Sequence, residues 1–195
     1  MKKLLITSLI VITAHFTLAQ KSIGISYLGL GSNDAIHLTS LAGAASYSGE
    51  SYYGVQLDYL APINQVLSFE TGIGYRHHEL LQHPNVPPNM DTAPNDVNAS
   101  ILTIPVGVRV NFLKYLFINP GLILNADLGS SGNVSGQTGV GFNLGVGLQY
   151  EFASGLGVYV NPYTAMHSTL SLSSENYPER ITESGLKIGV TFKIK

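Results

Sequence analysis

The sequence has 195 residues, of which only 11% are charged, and its formal net charge is −2. Ordinary globular proteins carry roughly 25% charged residues, so this chain is short of charge, and its near-neutral balance argues against a nucleic-acid-binding surface. The chain has no cysteine, which excludes disulfides, thiolate catalysis and cysteine metal sites.

The N-terminal segment has the pattern of a secretory signal peptide. A basic start precedes an apolar stretch at 4–12, and small residues, ending with Ala19, precede Gln20. The alternative is an uncleaved membrane anchor, but the apolar stretch is shorter than the ~20 residues that a spanning helix needs. We predict that residues 1–19 are a signal peptide and that residues 20–195 form one exported domain.

Beyond residue 20 the sequence shows apolar–polar alternation with a period of two, which is typical of β-strands. No apolar run there is long enough for a membrane-spanning helix. The eight predicted strands are 22–30, 52–60, 66–78, 100–112, 115–128, 138–152, 156–170 and about 182–195.

The connections between these strands alternate in length. Short turns join strands two and three, four and five, and six and seven. The longer, polar connections are residues 31–51, 79–99, 129–137 and 171–181. Short turns at one end and long loops at the other are typical of outer-membrane barrels. We therefore predict an all-β fold, an antiparallel up-and-down transmembrane β-barrel of eight strands.

The strand at 100–112 shows why lipid is the expected neighbour of the apolar face. Apolar side chains occupy every second position from Leu102 to Phe112, while the opposite face carries residues such as Thr103 and Arg109. The strands are longer than the 5–6 residues common in soluble sheets. Their polar faces are rich in glycine and asparagine, which suit a crowded lumen better than open water.

Charged residues within the predicted strands fall mainly on the inner face. They are the acids Asp58, Glu70, Asp127 and Glu151 and the bases Arg76, Arg109, Lys187 and Lys193. One interpretation is a charged constriction that selects a solute. The favoured one is a structural network of ion pairs, because an eight-stranded barrel is only wide enough for its own side chains and unpaired buried charge is costly.

Outward tyrosines and three strand prolines give further expectations. Six tyrosines near strand ends either form aromatic belts at the membrane interfaces or reflect the ordinary preference of strands for aromatic residues: Tyr27, Tyr53, Tyr59, Tyr75, Tyr115 and Tyr150. Pro105, Pro120 and Pro162 lie inside predicted strands, and each is expected to mark a bulge or a strand end. A phase slip near Pro120 or Pro162 would exchange the inner and outer faces.

No catalytic, metal or cofactor site is predicted. His77 and His78 are neighbours on a strand, so their side chains should point to opposite faces and cannot chelate one ion together. By the same rule His167 and Ser168 should point to opposite faces. Only Thr169 then offers a hydroxyl group on the same face as His167. The protein is expected not to be an enzyme.

The segments "ILTIPVGVRVNF" and "LFINPGLILNADLG" resemble the PorT-like (outer-membrane β-barrel 2) family of small Bacteroidetes barrels. The resemblance covers the mature chain, although Phe192 is not the last residue, whereas many outer-membrane barrels end on an aromatic residue. It implies an integral outer-membrane protein with a structural or interaction role, and a link to protein secretion.

The expected partners are outer-membrane lipid, the barrel-assembly machinery and a protein bound through loops 31–51 and 79–99; nucleic acid is not expected. Two other functions stay open, a narrow solute pore and a soluble periplasmic ligand-binding barrel. In the favoured fold, the alternating C-terminal segment 184–195 pairs with strand 22–30 and closes the barrel, because lipid does not tolerate an open sheet edge.

Overall fold

The computed structural model describes residues 20–37, 45–85, 93–131, 134–172 and 179–194. The predicted signal peptide at 1–19 lies outside the described residues. The strands are β1 (Lys21–His37), β2 (Ser46–Pro62), β3 (Leu67–His83), β4 (Asn95–Phe112), β5 (Leu116–Ile118), β6 (Gly121–Ser131), β7 (Gly139–Glu151), β8 (Leu156–Ser171) and β9 (Glu179–Ile194). Within the described ranges, no helix has the length and apolar character needed to cross a membrane.

The nine strands form one closed barrel with eight strand positions. All neighbouring strands pair antiparallel, and β1 also pairs with β9. β5 and β6 share one position, because Val110 of β4 pairs with Ile118 of β5 and Gly107 of β4 pairs with Gly121 of β6, in one continuous register. The predicted antiparallel barrel of eight strands is confirmed.

The C-terminal strand closes the barrel as predicted. Ser26 of β1 lies opposite Gly189 of β9, and the pairing extends from Lys21, opposite Ile194, to Gly29 before a bulge. Within the apolar belt, both edges of these two strands are paired, which is the condition for burying a sheet in lipid.

Alternation places apolar side chains outside the barrel and polar ones inside. Ile25 and Leu57 are 53% and 58% exposed, whereas the adjacent Ser26 and Gln56 are each 3% exposed. A soluble ligand-binding barrel would turn its apolar face inward, so that alternative is wrong. Tyr53 lies on the outer surface near the long-loop end of this apolar belt, and 46% of it is exposed.

The strand prolines interrupt pairing without exchanging the faces. Pro120 separates β5 from β6, as expected, but Pro105 and Pro162 lie within β4 and β8, so the expectation of a bulge or strand end is wrong for these two. Pro105 instead coincides with a gap in the pairing between β3 and β4, and Pro162 with a gap in the pairing between β7 and β8. In both ladders the register is the same before and after the gap. Since proline lacks the N–H that a ladder bond needs, a local gap is sufficient.

The short turns agree with the prediction, but the long connections do not begin where it placed them. β1 and β2 continue through 31–37 and 46–51, and β3 and β4 through 79–83 and 95–99. Strand pairing therefore extends past the apolar belt at this end of the barrel, between β1 and β9, between β2 and β3 and between β3 and β4. The middle parts of both predicted loops, at 38–44 and 86–92, lie outside the described residues.

An apolar cluster fills part of the barrel interior at the long-loop end. A buried cluster there contains Ala35, Leu80, Val97, Ala99, Ile101, Val134 and Ile181. Val134 comes from the segment that connects β6 to β7, so this connection folds into the barrel end. Most of the buried charged side chains lie between this apolar cluster and the short-turn end.

Candidate functional site in the barrel lumen

Four charged side chains meet in the middle of the lumen and form what we call the central charge cluster: Asp58, Glu70, Arg109 and Lys187. Lys187 Nζ lies 2.7 Å from Asp58 Oδ1 and 3.6 Å from Glu70 Oε1. Arg109 donates two hydrogen bonds to the Glu70 carboxylate, at 3.0 and 3.1 Å. All four side chains are buried, and two acids balance two bases.

Neutral donors complete the coordination of Asp58. Its carboxylate accepts hydrogen bonds from Ser26 Oγ at 2.8 Å, Gln56 Nε2 at 2.6 Å and Tyr159 Oη at 2.8 Å. A buried carboxylate is costly unless it is paired and hydrogen-bonded. Asp58 meets that condition through residues from β1, β2, β8 and β9, so the cluster ties four strand positions together.

Two aromatic rings, which contact each other edge-to-face, pack against Arg109. Its guanidinium carbon lies 4.2 Å from the centroid of Phe117 and 5.2 Å from that of Tyr159. Arg109 Nη1 also donates to Gln149 Oε1 at 3.2 Å. The guanidinium is thus fixed by charge, stacking and hydrogen bonding at once, and it lies across the lumen.

The free space around this cluster is very unequal on its two sides. Toward the long-loop end, a cavity of about 30 Å³ lies between Glu70, Lys187 and Arg76, which is room for about two water molecules. Toward the short-turn end, a vestibule of about 900 Å³ is bordered by Arg109, Tyr159 and Lys193 among others.

A second charged group, which we call the histidine cluster, consists of Arg76, His78, His167 and Glu183. Arg76 Nη1 contacts Glu183 Oε1. His78 Nε2 and His167 Nε2 lie 3.3 and 3.5 Å from the other carboxylate oxygen, Oε2. All four residues are buried. The histidine cluster lies at the height along the barrel where the apolar belt ends. On the outer surface, this height is marked by His77 and the exposed Tyr53, which contact each other.

A β-bulge in β8 orients His167. The register between β7 and β8 shifts between Val140 and Phe142, and Ser168 has a φ of 48°. His167 and Ser168 are consequently both fully buried, so the expectation that they face opposite ways is wrong. A bulge breaks the alternation of an ideal strand and can redirect a side chain. Ser168 Oγ donates to the Gln137 carbonyl.

The eight charges predicted from the sequence fall in four places. Asp58, Glu70, Arg109 and Lys187 come together in the central charge cluster, and Arg76 joins the histidine cluster. Glu151 and Lys193 contact each other in a partly exposed pair at the vestibule rim.

The eighth residue, Asp127, anchors the β6–β7 connection at the opposite end of the barrel. Asp127 Oδ1 accepts from the Gly129 N–H and Oδ2 from the Gln137 N–H, at 2.7 and 2.8 Å. Gln137 in turn donates from Nε2 to the Glu179 carbonyl at 3.0 Å. Asp127 therefore holds the segment that folds into the barrel end and does not join either cluster.

Sequence reasoning did not select Glu183, His78 or His167 as site residues. Glu183 could have been found, since it lies four residues before Lys187 and therefore on the same face of β9. His78 lies on the inner face of β3 with Arg76 by the same rule. Their meeting with His167 depends on the β8 bulge, which no local pattern indicated.

Comparison with known proteins supports the fold. Residues 4–193 match the model of a protein family described as "Outer membrane protein beta-barrel domain". A comparison with curated protein sequences gave no match.

Two solved structures share the architecture. Outer membrane protein OprG from Pseudomonas aeruginosa superposes with a TM-score of 0.55 at 11% identity, over 90% of this chain and 96% of that chain. Neisserial surface protein A superposes with a TM-score of 0.51 at 12% identity, over 90% of this chain and 98% of that chain. At these identities the likeness concerns the fold alone.

Proposed function

This chain belongs to the outer membrane protein beta-barrel domain family, and from that premise we propose that it is an integral outer-membrane protein with a structural or interaction role and a lumen closed to solutes. The observation that supports closure is the central charge cluster, where four buried charged side chains from β2, β3, β4 and β9 meet in the middle of the barrel. Its partners are then outer-membrane lipid, the barrel-assembly machinery and a protein at the cell surface.

The dimensions of the lumen argue against a solute pore. The cavity beyond Arg109 holds about two waters, whereas the vestibule before it is about thirty times larger in volume. A solute that enters the vestibule meets Arg109 and Tyr159, which are fixed by Glu70 and Asp58. Opening this path requires breaking buried ion pairs, at about 3–5 kcal/mol for each pair that loses one partner.

The strand extensions beyond the apolar belt support an interaction role. β1 and β2, and likewise β3 and β4, continue beyond the apolar belt and present polar side chains such as Asp34, Glu79 and His83 at the long-loop end. In barrels of this architecture the long loops are extracellular. The resemblance to PorT-like barrels favours a partner in protein secretion for this surface.

Conductance in a planar lipid bilayer tests the closed lumen. Protein whose folding is verified by heat-dependent gel mobility should insert without producing conductance steps. Reproducible steps from the wild-type protein would overturn the proposal of a closed lumen.

Two variants sharpen the measurement. Arg109→Ser removes the guanidinium between the vestibule and the small cavity, and it should produce conductance if this side chain, rather than the histidine cluster or the apolar cluster beyond it, is the barrier. Lys193→Ser alters only the vestibule rim and should stay silent. If both variants conduct equally, Arg109 is not the barrier.

A further inference from the structure

We propose that His78, His167 and Glu183 bind a divalent transition-metal ion, with Zn²⁺ as the expected occupant and a fourth position left for water. One ligand atom of each residue lies within 4.8 Å of the other two. The residues come from β3, β8 and β9, and all are buried. This inference is independent of the proposal of a closed lumen.

Two of the three separations between ligand atoms, those to Glu183 Oε2, fit a tetrahedral zinc site. Zinc binds histidine nitrogen and carboxylate oxygen at about 2.0–2.2 Å, so two ligand atoms of a tetrahedral site lie about 3.3–3.5 Å apart. His78 Nε2 and His167 Nε2 lie 3.3 and 3.5 Å from Glu183 Oε2. Two imidazoles with one carboxylate form a donor set that zinc uses when it keeps an open position.

The histidine nitrogens are available for a ligand. Neither ring nitrogen of His78, nor Nε2 of His167, makes a hydrogen bond with any part of the chain that the structure describes. Buried polar atoms without a partner are uncommon and indicate a missing ion, water or ligand. A metal ion at this position would satisfy both imidazoles and Glu183 Oε2 together.

Neighbouring residues orient both imidazole rings. His167 Nδ1 lies 2.9 Å from Asn125 Oδ1, and this bond requires the proton on Nδ1, which leaves the Nε2 lone pair free. Metal-binding histidines almost always have such a partner for their other nitrogen. The His78 ring is stacked on Tyr52, with centroids 5.6 Å apart and an interplanar angle of 12°.

The local backbone is also specialised. Ser168, the residue after His167, has a φ of 48°, a conformation that is costly for a residue other than glycine and that concentrates at functional sites. The bulge at this point brings His167 into the cluster.

Arg76 and the proposed ion contact different oxygens of the Glu183 carboxylate. It contacts Glu183 Oε1, whereas the histidines approach Oε2. Tyr52 stacks on His78 and Tyr163 lies against Arg76, and the hydroxyls of these two tyrosines lie 3.4 Å apart. Since Arg76 supplies a competing positive charge, it should limit metal affinity, and Arg76→Met should tighten binding.

Metal stoichiometry tests the site. The full mature chain is refolded in detergent with Zn²⁺, free metal is removed, and bound zinc is counted by elemental analysis. We expect about one ion per folded chain, and none in Glu183→Gln or His78→Ala. Asn125→Ala, which removes only the orienting contact, should weaken binding by about 10–100-fold.

The matched control is His77→Ala, because His77 is the next residue in the chain but lies on the outer face, where Nδ1 contacts Ser100. It should bind zinc like the wild type. A wild-type protein without zinc, or equal loss in His77→Ala and His78→Ala, would refute the site.

A spectroscopic measurement keeps the proposal testable if a variant fails to fold. X-ray absorption at the zinc edge of the wild-type protein counts imidazole ligands directly. Two imidazoles with oxygen donors are expected. One imidazole, or three or more, would show that zinc binds elsewhere and would overturn the assignment.

Discussion

Lys187 Nζ lies 2.7 Å from Asp58 Oδ1, although the two residues are 129 positions apart in the chain. The contact links β9 to β2 across the lumen, and the same ammonium lies 3.6 Å from Glu70. One lysine is thus the counter-ion of two buried acids, so its removal should destabilise the whole central charge cluster.

We expect Lys187→Met to lower the free energy of unfolding by about 3–5 kcal/mol, because it leaves a buried acid without its counter-ion. Lys193→Met is the matched control, since Lys193 lies on the same face of the same strand. Its pair with Glu151 is partly exposed, with side-chain exposures of 34% and 55%, and should contribute at most ~1 kcal/mol.

Urea titration of the folded barrel in detergent micelles, followed by gel mobility, measures both variants. Similar midpoints for Lys187→Met and Lys193→Met would show that the lumen tolerates an unpaired acid at Asp58, and that the central charge cluster contributes little to stability.

The outward face of β9 supplies a second prediction. Val190 lies opposite Ile25 of β1 and Val158 of β8, at the middle of the strand's apolar outer face. Val190→Arg should destabilise the folded barrel in lipid by about 2–4 kcal/mol, the cost of arginine near the bilayer midplane.

Ile194→Arg is the control for depth, because it changes the same face at the short-turn end and should cost about 0–1 kcal/mol. The fraction folded in liposomes measures both. If Val190→Arg folds as well as Ile194→Arg, Val190 does not face the bilayer centre.

Alternation was sufficient to predict most of the barrel. In β9 it assigned Leu186 through Ile194 to the outside at every second position and Lys187 to the lumen, because only two faces are available to a strand. The break at Pro120 does not change the number of strand positions in the barrel, because β5 and β6 pair with β4 in the same register.

Strand ends and bulges were not predictable in the same way. Beyond the lipid belt both faces can be polar, so alternation is absent from the segment 31–37 and the sequence predicts a loop there. Backbone pairing with β9 nevertheless continues from Ser32 to His37. The bulge at Ser168 reflects pairing between β7 and β8. It decides where His167 points, and no local pattern carries that information.

A glycine in β7 makes room for the aromatic ring beside Arg109. A Cβ atom at Gly147 would collide with the ring of Phe117, which is fully buried, with the Arg109 guanidinium 4.2 Å from its centroid. The ring therefore has little space to move, and we expect Gly147→Ala to cost about 1–3 kcal/mol through overpacking.

The double variant Gly147→Ala with Phe117→Leu tests this explanation. The smaller side chain should relieve the collision, so the double variant should be more stable than the two single effects predict by about 0.5–3 kcal/mol. Additive effects in urea titration would show that Gly147 matters for a reason other than the contact with Phe117.

Closure of the barrel by its first and last strands can be tested by crosslinking, because the chain has no native cysteine. Ser22 and Lys193 lie directly opposite each other on β1 and β9, and both line the wide vestibule, which an oxidant can reach. Directly paired strand residues have the Cα separation that a disulfide needs. Ser22→Cys combined with Lys193→Cys should therefore crosslink in high yield in the folded protein.

The control for this experiment is Ser22→Cys combined with Ser68→Cys. Ser68 also lines the vestibule, but it lies on β3 and pairs with Pro62 of β2, so β2 separates it from β1. This pair should stay reduced under the same oxidation. Equal crosslinking of the two pairs, or none in either, would contradict the closure of the barrel between β1 and β9.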